Sequence, residues 1–293
     1  MAYVTFENLP VYASAPNSAG SDSISDTNQR KISASQVQFN YAPSISNVPI
    51  LGKQSDVNNL LPAGPPDVSI SFSALLEEQG DGTAEFNPFD YTGNKTEGAG
   101  CRLSIGNITS GIVVDKCFLP NLSLSVTPYA PIQYNADFVC YGVPNQGTAP
   151  LGTSKGAITS TNADGANLIP EANITGVAHG IYSKFSGSQI DQASNFEAIN
   201  YTHSAVYTPV YKVGSFEPDV HFTSATQTLQ VQADDIAGIT ALTGRGISVS
   251  VGLRNSKNAV NNLSFTALLN GESASVTAGD VARGALNIVQ PLK

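Results

Sequence analysis

Apolar and polar residues alternate strictly along several short segments of this chain. Val68, Ile70 and Phe72 alternate with Ser69, Ser71 and Ser73; Leu122, Leu124 and Val126 keep the same rhythm. So do Ile247, Val249 and Val251, and Leu263 with Phe265. A period of two sends one face of an extended strand into a core and turns the other outward. The outward set is Ser and Thr rather than Lys and Glu, which suits a sheet lying against a neighbour without desolvating a charge. Thr127-Pro128-Tyr129-Ala130-Pro131 predicts a chain reversal between Leu122–Val126 and Ile132–Cys140, and Asn270-Gly271 predicts a two-residue hairpin turn. Helix signals are confined to Asp234–Leu242, with acidic residues at its start, and a short helical turn within Glu85–Tyr91. The expected fold is all-β and mainly antiparallel, a sandwich or barrel with at most one short helix per repeat.

Repeat is the second signal. Asn40-Tyr41 with Ser44, Pro49 and Lys53 recurs as Asn200-Tyr201 with Ser204, Pro209 and Lys212. Pro66-Asp67-Val68 recurs as Pro218-Asp219-Val220, and Asn121-Leu122-Ser123 as Asn262-Leu263-Ser264. Three matches in one order predict two duplicated β domains, over residues 31–147 and 177–293. Residues 1–30, within a stretch rich in Ser, Asn and Asp, read as an N-terminal arm, and 148–176, small and polar, as a linker or insertion. Gln54–Pro65 is a long loop with no counterpart in the second half, and loops of that length commonly bind something.

Composition narrows the function classes. The chain has 293 residues, enough for two ordinary cores, and its formal charge is −9. Charged residues make up 13%, against an ordinary level of about 25%. An acidic, Lys- and Arg-poor chain does not bind nucleic acid by neutralising phosphates, but it can let a polyanion slide past. No apolar stretch approaches the ~18 residues that would span a bilayer, and Met1–Glu7 lacks the pattern of a signal peptide, so synthesis in a cytoplasm is expected. Cys101, Cys117 and Cys140, an odd set, read as small core hydrophobes rather than a disulfide framework.

The sequence holds no catalytic constellation. His179, His203 and His221 have no partner at metal-ligand spacing, and His221 falls where the first copy has no imidazole. Glu77 and Glu78 would point to opposite faces of a strand, and Asp234-Asp235 serve a helix start. No nucleophile elbow, phosphate loop or calcium loop occurs. The sequence therefore predicts a non-enzyme with no catalytic, metal-binding or cofactor-binding residues.

The serine-alternating strands, the hairpin from Asn121-Leu122-Ser123-Leu124 to Phe138-Val139-Cys140-Tyr141, and the opening arm, loop and Pro66-Asp67-Val68 strand together resemble the major tail tube proteins of tailed bacteriophages. The resemblance implies a virion protein whose strands join those of neighbouring subunits into rings. These rings stack around a DNA conduit and meet other tail proteins, with no membrane insertion. With two domains per chain it implies three chains in a pseudo-sixfold ring rather than six. The alternatives are another virion component (head decoration, collar or fibre) and a carbohydrate-binding β-sandwich, the latter weakened by the absence of Trp.

Overall fold

A computed structural model describes residues 11–14, 30–32, 34–47, 60–62, 64–79, 86–92, 100–106, 111–142, 174–177, 183–187, 196–214, 218–233, 245–254, 259–275 and 283–292. They form seventeen strands: β1 (Val11–Ala13), β2 (Arg30–Ile32), β3 (Ala34–Ala42), β4 (Ile45–Asn47), β5 (Leu60–Pro62), β6 (Asp67–Leu75), β7 (Glu77–Gln79), β8 (Cys101–Gly106) and β9 (Gly111–Val126). Then follow β10 (Gln133–Cys140), β11 (Ile174–Val177), β12 (Lys184–Gly187), β13 (Phe196–Val210), β14 (Asp219–Ala233), β15 (Arg245–Arg254), β16 (Ala259–Ser275) and β17 (Arg283–Leu292). Every ladder is antiparallel. Among the described residues there is no α-helix, so the all-β expectation stands.

Alternation decides which face is buried. Val68, Ile70, Phe72 and Ala74 of β6, Leu122, Leu124 and Val126 of β9, and Tyr134, Ala136 and Phe138 of β10 all point inward. The second half does the same with Ile199 and Tyr201, Leu229 and Val231, Val249 and Val251, and Leu286 and Ile288. These residues form one contiguous core that includes both halves of the chain. Its densest part is aromatic: Phe72 stacks on Phe138 at 5.7 Å between ring centroids, and Phe86 on Tyr91 at 5.0 Å. Full burial of such a ring contributes about 1.5–3 kcal/mol.

The 3-10 turn Pro88–Tyr91 closes this end, in the stretch where a short helical turn was expected. Asn87 caps it, its Oδ1 accepting from the Phe89 N–H at 3.1 Å, and Thr92 Oγ1 donates to the Phe89 carbonyl at 2.8 Å. The turn drives Phe89 onto Tyr201 of β13, edge to face at 5.4 Å, so an element of the first half packs on a strand of the second.

The main sheet runs β3–β6–β10–β9 and then directly β13–β14–β17–β16–β15–β12. The link between halves is a ladder pairing Ile199–Ser204 of β13 with Asn121–Val126 of β9. β8 pairs with Gly111–Cys117 on the same edge of β9 that β13 uses further along, because Cys117 and Ser123 each have β10 on the opposite side. The first half therefore reads β3–β6–β10–β9–β8, and the second β13–β14–β17–β16–β15, the same order of strands by rank in the chain.

The short recurrences, by contrast, do not fall at matching ladder positions. Asn40 faces Ser69, two residues beyond Asp67, whereas Asn200 faces Gln230, eleven beyond Asp219. Asn121 faces Asp137 of β10, whereas Asn262 faces Gly252 of β15.

Two expectations need correction. Asn270-Gly271 is no hairpin turn: β16 runs through it, and the register with β17 shifts between Leu269 and Gly271. A glycine inside a long strand served a bulge here rather than a reversal. The expected arm is not wholly separate from the core either. Val11 and Ala13 are fully buried in β1, which pairs with β2 and β8. Ser14 then anchors the chain, its N–H donating to the Arg102 carbonyl at 2.9 Å and its own carbonyl accepting from Tyr91 Oη at 2.6 Å.

The reversal at Thr127–Pro131 is where it was expected, with Tyr129 at φ 62° and largely exposed to solvent. The helix expected at 234–242 lies outside the described residues, as does most of 148–176; Ile174–Val177 forms β11, paired with β7. Of the Gln54–Pro65 loop, Leu60–Pro62 pairs with β4.

Candidate interaction surface

Outward-facing residues line up in transverse rows across the sheet. One row passes through Gln36, Ser73, Asn135, Ser123, Thr202 and Thr228, each directly opposite the next on successive strands. The next passes through Gln38, Ser71, Asp137, Asn121, Ser204 and Thr226. These twelve positions carry one carboxylate and no cation. They bind one another: Ser73 Oγ donates to Asn135 Oδ1, and Asn135 Nδ2 donates to Ser123 Oγ at 3.5 Å. The face is thus a hydroxyl and amide array, with a shallow depression lined by Gln36, Gln38, Ser71, Ser73, Asn135 and Asp137. Such an array offers hydrogen bonds in all directions, with the Asp137 carboxylate as its one charged group.

Three strand edges bear on what this surface can join. β3 pairs with β6 on one side and has no ladder partner on the other among the described residues. On β16, Leu268 has β15 on one edge and β17 on the other; past it, residues 269–275 have no ladder partner on the β15 side, though β7 lies close to β16. β13 and β14 also run beyond their outer neighbours, β13 past Ser204 and β14 on the far side of Ala225, as a two-stranded ribbon. A bulge after Val206 sets Tyr207 opposite Phe222, and Tyr207 packs on Phe118 at 5.1 Å. Along and just past this ribbon Val206, Val210, Tyr211 and Val213 are exposed, and Lys212 pairs with Asp219, whose carboxyl it holds below the usual range.

The candidate chemical residues are scattered. His221 is exposed on β14, opposite Thr208, and His179 lies outside the described residues, as do Asp234 and Asp235. Glu77 and Glu78 belong to β7. His203 is buried on β13, opposite Leu122 on one side and Gln227 on the other. Neither of its ring nitrogens has a hydrogen-bond partner, nor does the amide of the fully buried Gln227. Desolvation pushes His203 down to about 4, against an opposing pull from the nearby Leu119 backbone, which lies outside hydrogen-bond geometry. This inward polar row was missed in the sequence, although His203 sits in phase with Ile199, Tyr201 and Ala205. Among the described residues no group of His, Cys, Asp and Glu is placed to hold a metal ion, and no helix is long and apolar enough to cross a membrane.

No protein-family model matches the sequence, and no curated protein matches it.

Proposed function

We propose that this chain is a structural subunit of a bacteriophage tail tube, assembling edge to edge into rings that stack around a DNA conduit. The observation that carries the reading is the join between β9 and β13. It adds the first strand of one five-strand set to the free stretch of the fourth strand of another. The corresponding elements, β3 at one end and residues 269–275 of β16 at the other, each have a ladder partner on one edge and none on the other among the described residues. A second chain laying its β3 along that stretch of β16 would repeat the internal join. Such a contact is head to tail and closes into a ring when the rotation permits. With two five-strand sets per chain, three chains would present six. The cation-free face and the charge of −9 suit a wall that a polyanion passes without sticking.

Electron microscopy and light scattering of the purified protein test this directly, with rings or tubes expected. Proline at Gln38 and, separately, at Phe39 tests the join: neighbouring residues send their N–H groups to opposite edges, so one variant loses a donor on the free edge of β3. That variant should fold and fail to assemble. A wild-type protein monomeric at high concentration overturns the proposal. Rings that survive both variants overturn the edge join alone.

A further inference from the structure

The three cysteines, distant in sequence, meet in one transverse row. Cys101 of β8 lies directly opposite Cys117 of β9, and Cys117 lies directly opposite Cys140 of β10 on its other edge. All three are free thiols, fully buried on the core side of the sheet. Facing residues on antiparallel strands have Cα atoms about 4.5–5.5 Å apart. That separation falls inside the roughly 4.4–6.8 Å that a disulfide spans. Small core hydrophobes need no such alignment; a thiol shared between two facing thiols has chemistry open to it.

We propose that Cys117 is the common partner of two alternative disulfides, one to Cys101 and one to Cys140, formed on exposure to a small-molecule disulfide such as oxidised glutathione. In the first step the Cys117 thiolate attacks the oxidant, making a mixed disulfide and releasing one small thiol. A facing thiolate then attacks the Cys117 sulfur and expels the second small thiol. Two protein thiols are oxidised to one bridge, the oxidant is reduced to two thiols, and these carry away the two protons. The third cysteine remains reduced. It faces Cys117 from the opposite strand, so its thiolate can attack the Cys117 sulfur in line with the bridge, forming the other disulfide and freeing the first partner. This exchange consumes no oxidant. Burial pushes the Cys101 and Cys117 thiols well above their usual range, which makes the reaction slow and dependent on transient opening of β8 from β9. The β8–β9 register already shifts between Cys101 and Leu103.

The test incubates the folded protein with oxidised glutathione, quenches in acid, alkylates under denaturing conditions and maps the peptides by mass spectrometry. Alkylatable thiols should fall from three to one, with the loss of two hydrogens in mass and with both the 101–117 and 117–140 bridges present. Cys101→Ala and Cys140→Ala should each form the one bridge left to them, and Cys117→Ala none. Three thiols still free, glutathione adducts alone, a 101–140 bridge, or a single wild-type bridge that never exchanges would each overturn the proposal. If Cys117→Ala fails to fold, the wild-type peptide map decides by itself.

Discussion

Acid should weaken this fold through His203, by an amount that can be worked out. The imidazole is buried with both nitrogens unpartnered and is held at about 4, against 6.5 when unperturbed. Between those pH values the unfolded chain takes up a proton that the folded chain refuses, so stability falls as pH drops through the window. Above pH 6.5 the contribution is intact; below about 4 both states are protonated and the loss levels off. The gap amounts to about 3 kcal/mol. Urea unfolding of wild type and His203→Leu, at equal protein concentration from pH 7.5 to 4, isolates this group from the carboxylates that both proteins share. His203→Gln keeps a polar side chain without titration and should behave like the Leu variant. Both variants should lose about 3 kcal/mol less than wild type across the window. Parallel pH profiles for all three proteins would refute the argument.

Two further substitutions probe the backbone. Tyr129→Gly should stabilise by about 1 kcal/mol, because an exposed non-glycine residue at φ 62° carries steric strain that glycine lacks; an unchanged urea midpoint would argue against strain there. Gly142→Ala should destabilise by about 1–3 kcal/mol, since its Cβ would sit 2.5 Å from the Asp115 carbonyl oxygen, a backbone atom with no freedom to swing aside; a neutral thermal shift would show that the two strands can separate.

Strand faces were legible because alternation is a local property. Ser69, Ser71 and Ser73 announced an outward face, and Val68, Ile70 and Phe72 an inward one, before any partner was known. Turn chemistry was legible where proline fixed it, at Thr127–Pro131, and misleading at Asn270-Gly271, where glycine served a bulge instead. Register was not legible. The Asn40 and Asn200 matches looked equivalent along the chain, yet ladders add residues to one strand and not its counterpart, and the two fall at different heights in their hairpins. The cysteine row and the His203–Gln227 pair were hidden for the same reason: each is assembled across strands whose pairing no single segment encodes.

The place of β17 has a consequence for how the protein is made. It follows β13, β14, β15 and β16 in sequence, yet it lies inside the sheet, between β14 and β16. While a ribosome is still translating, β3, β6, β10 and β9 can pair, and β13 and β14 can extend them. β12, β15 and β16 then pair with one another but have no ladder to the rest of the sheet until Arg283–Leu292 emerges. The nascent chain therefore carries an open gap, its unpaired β14 and β16 edges exposed, and edges of that kind recruit other chains. A ribosome stalled before residue 283 would hold a product with the first half of the core closed and the second open.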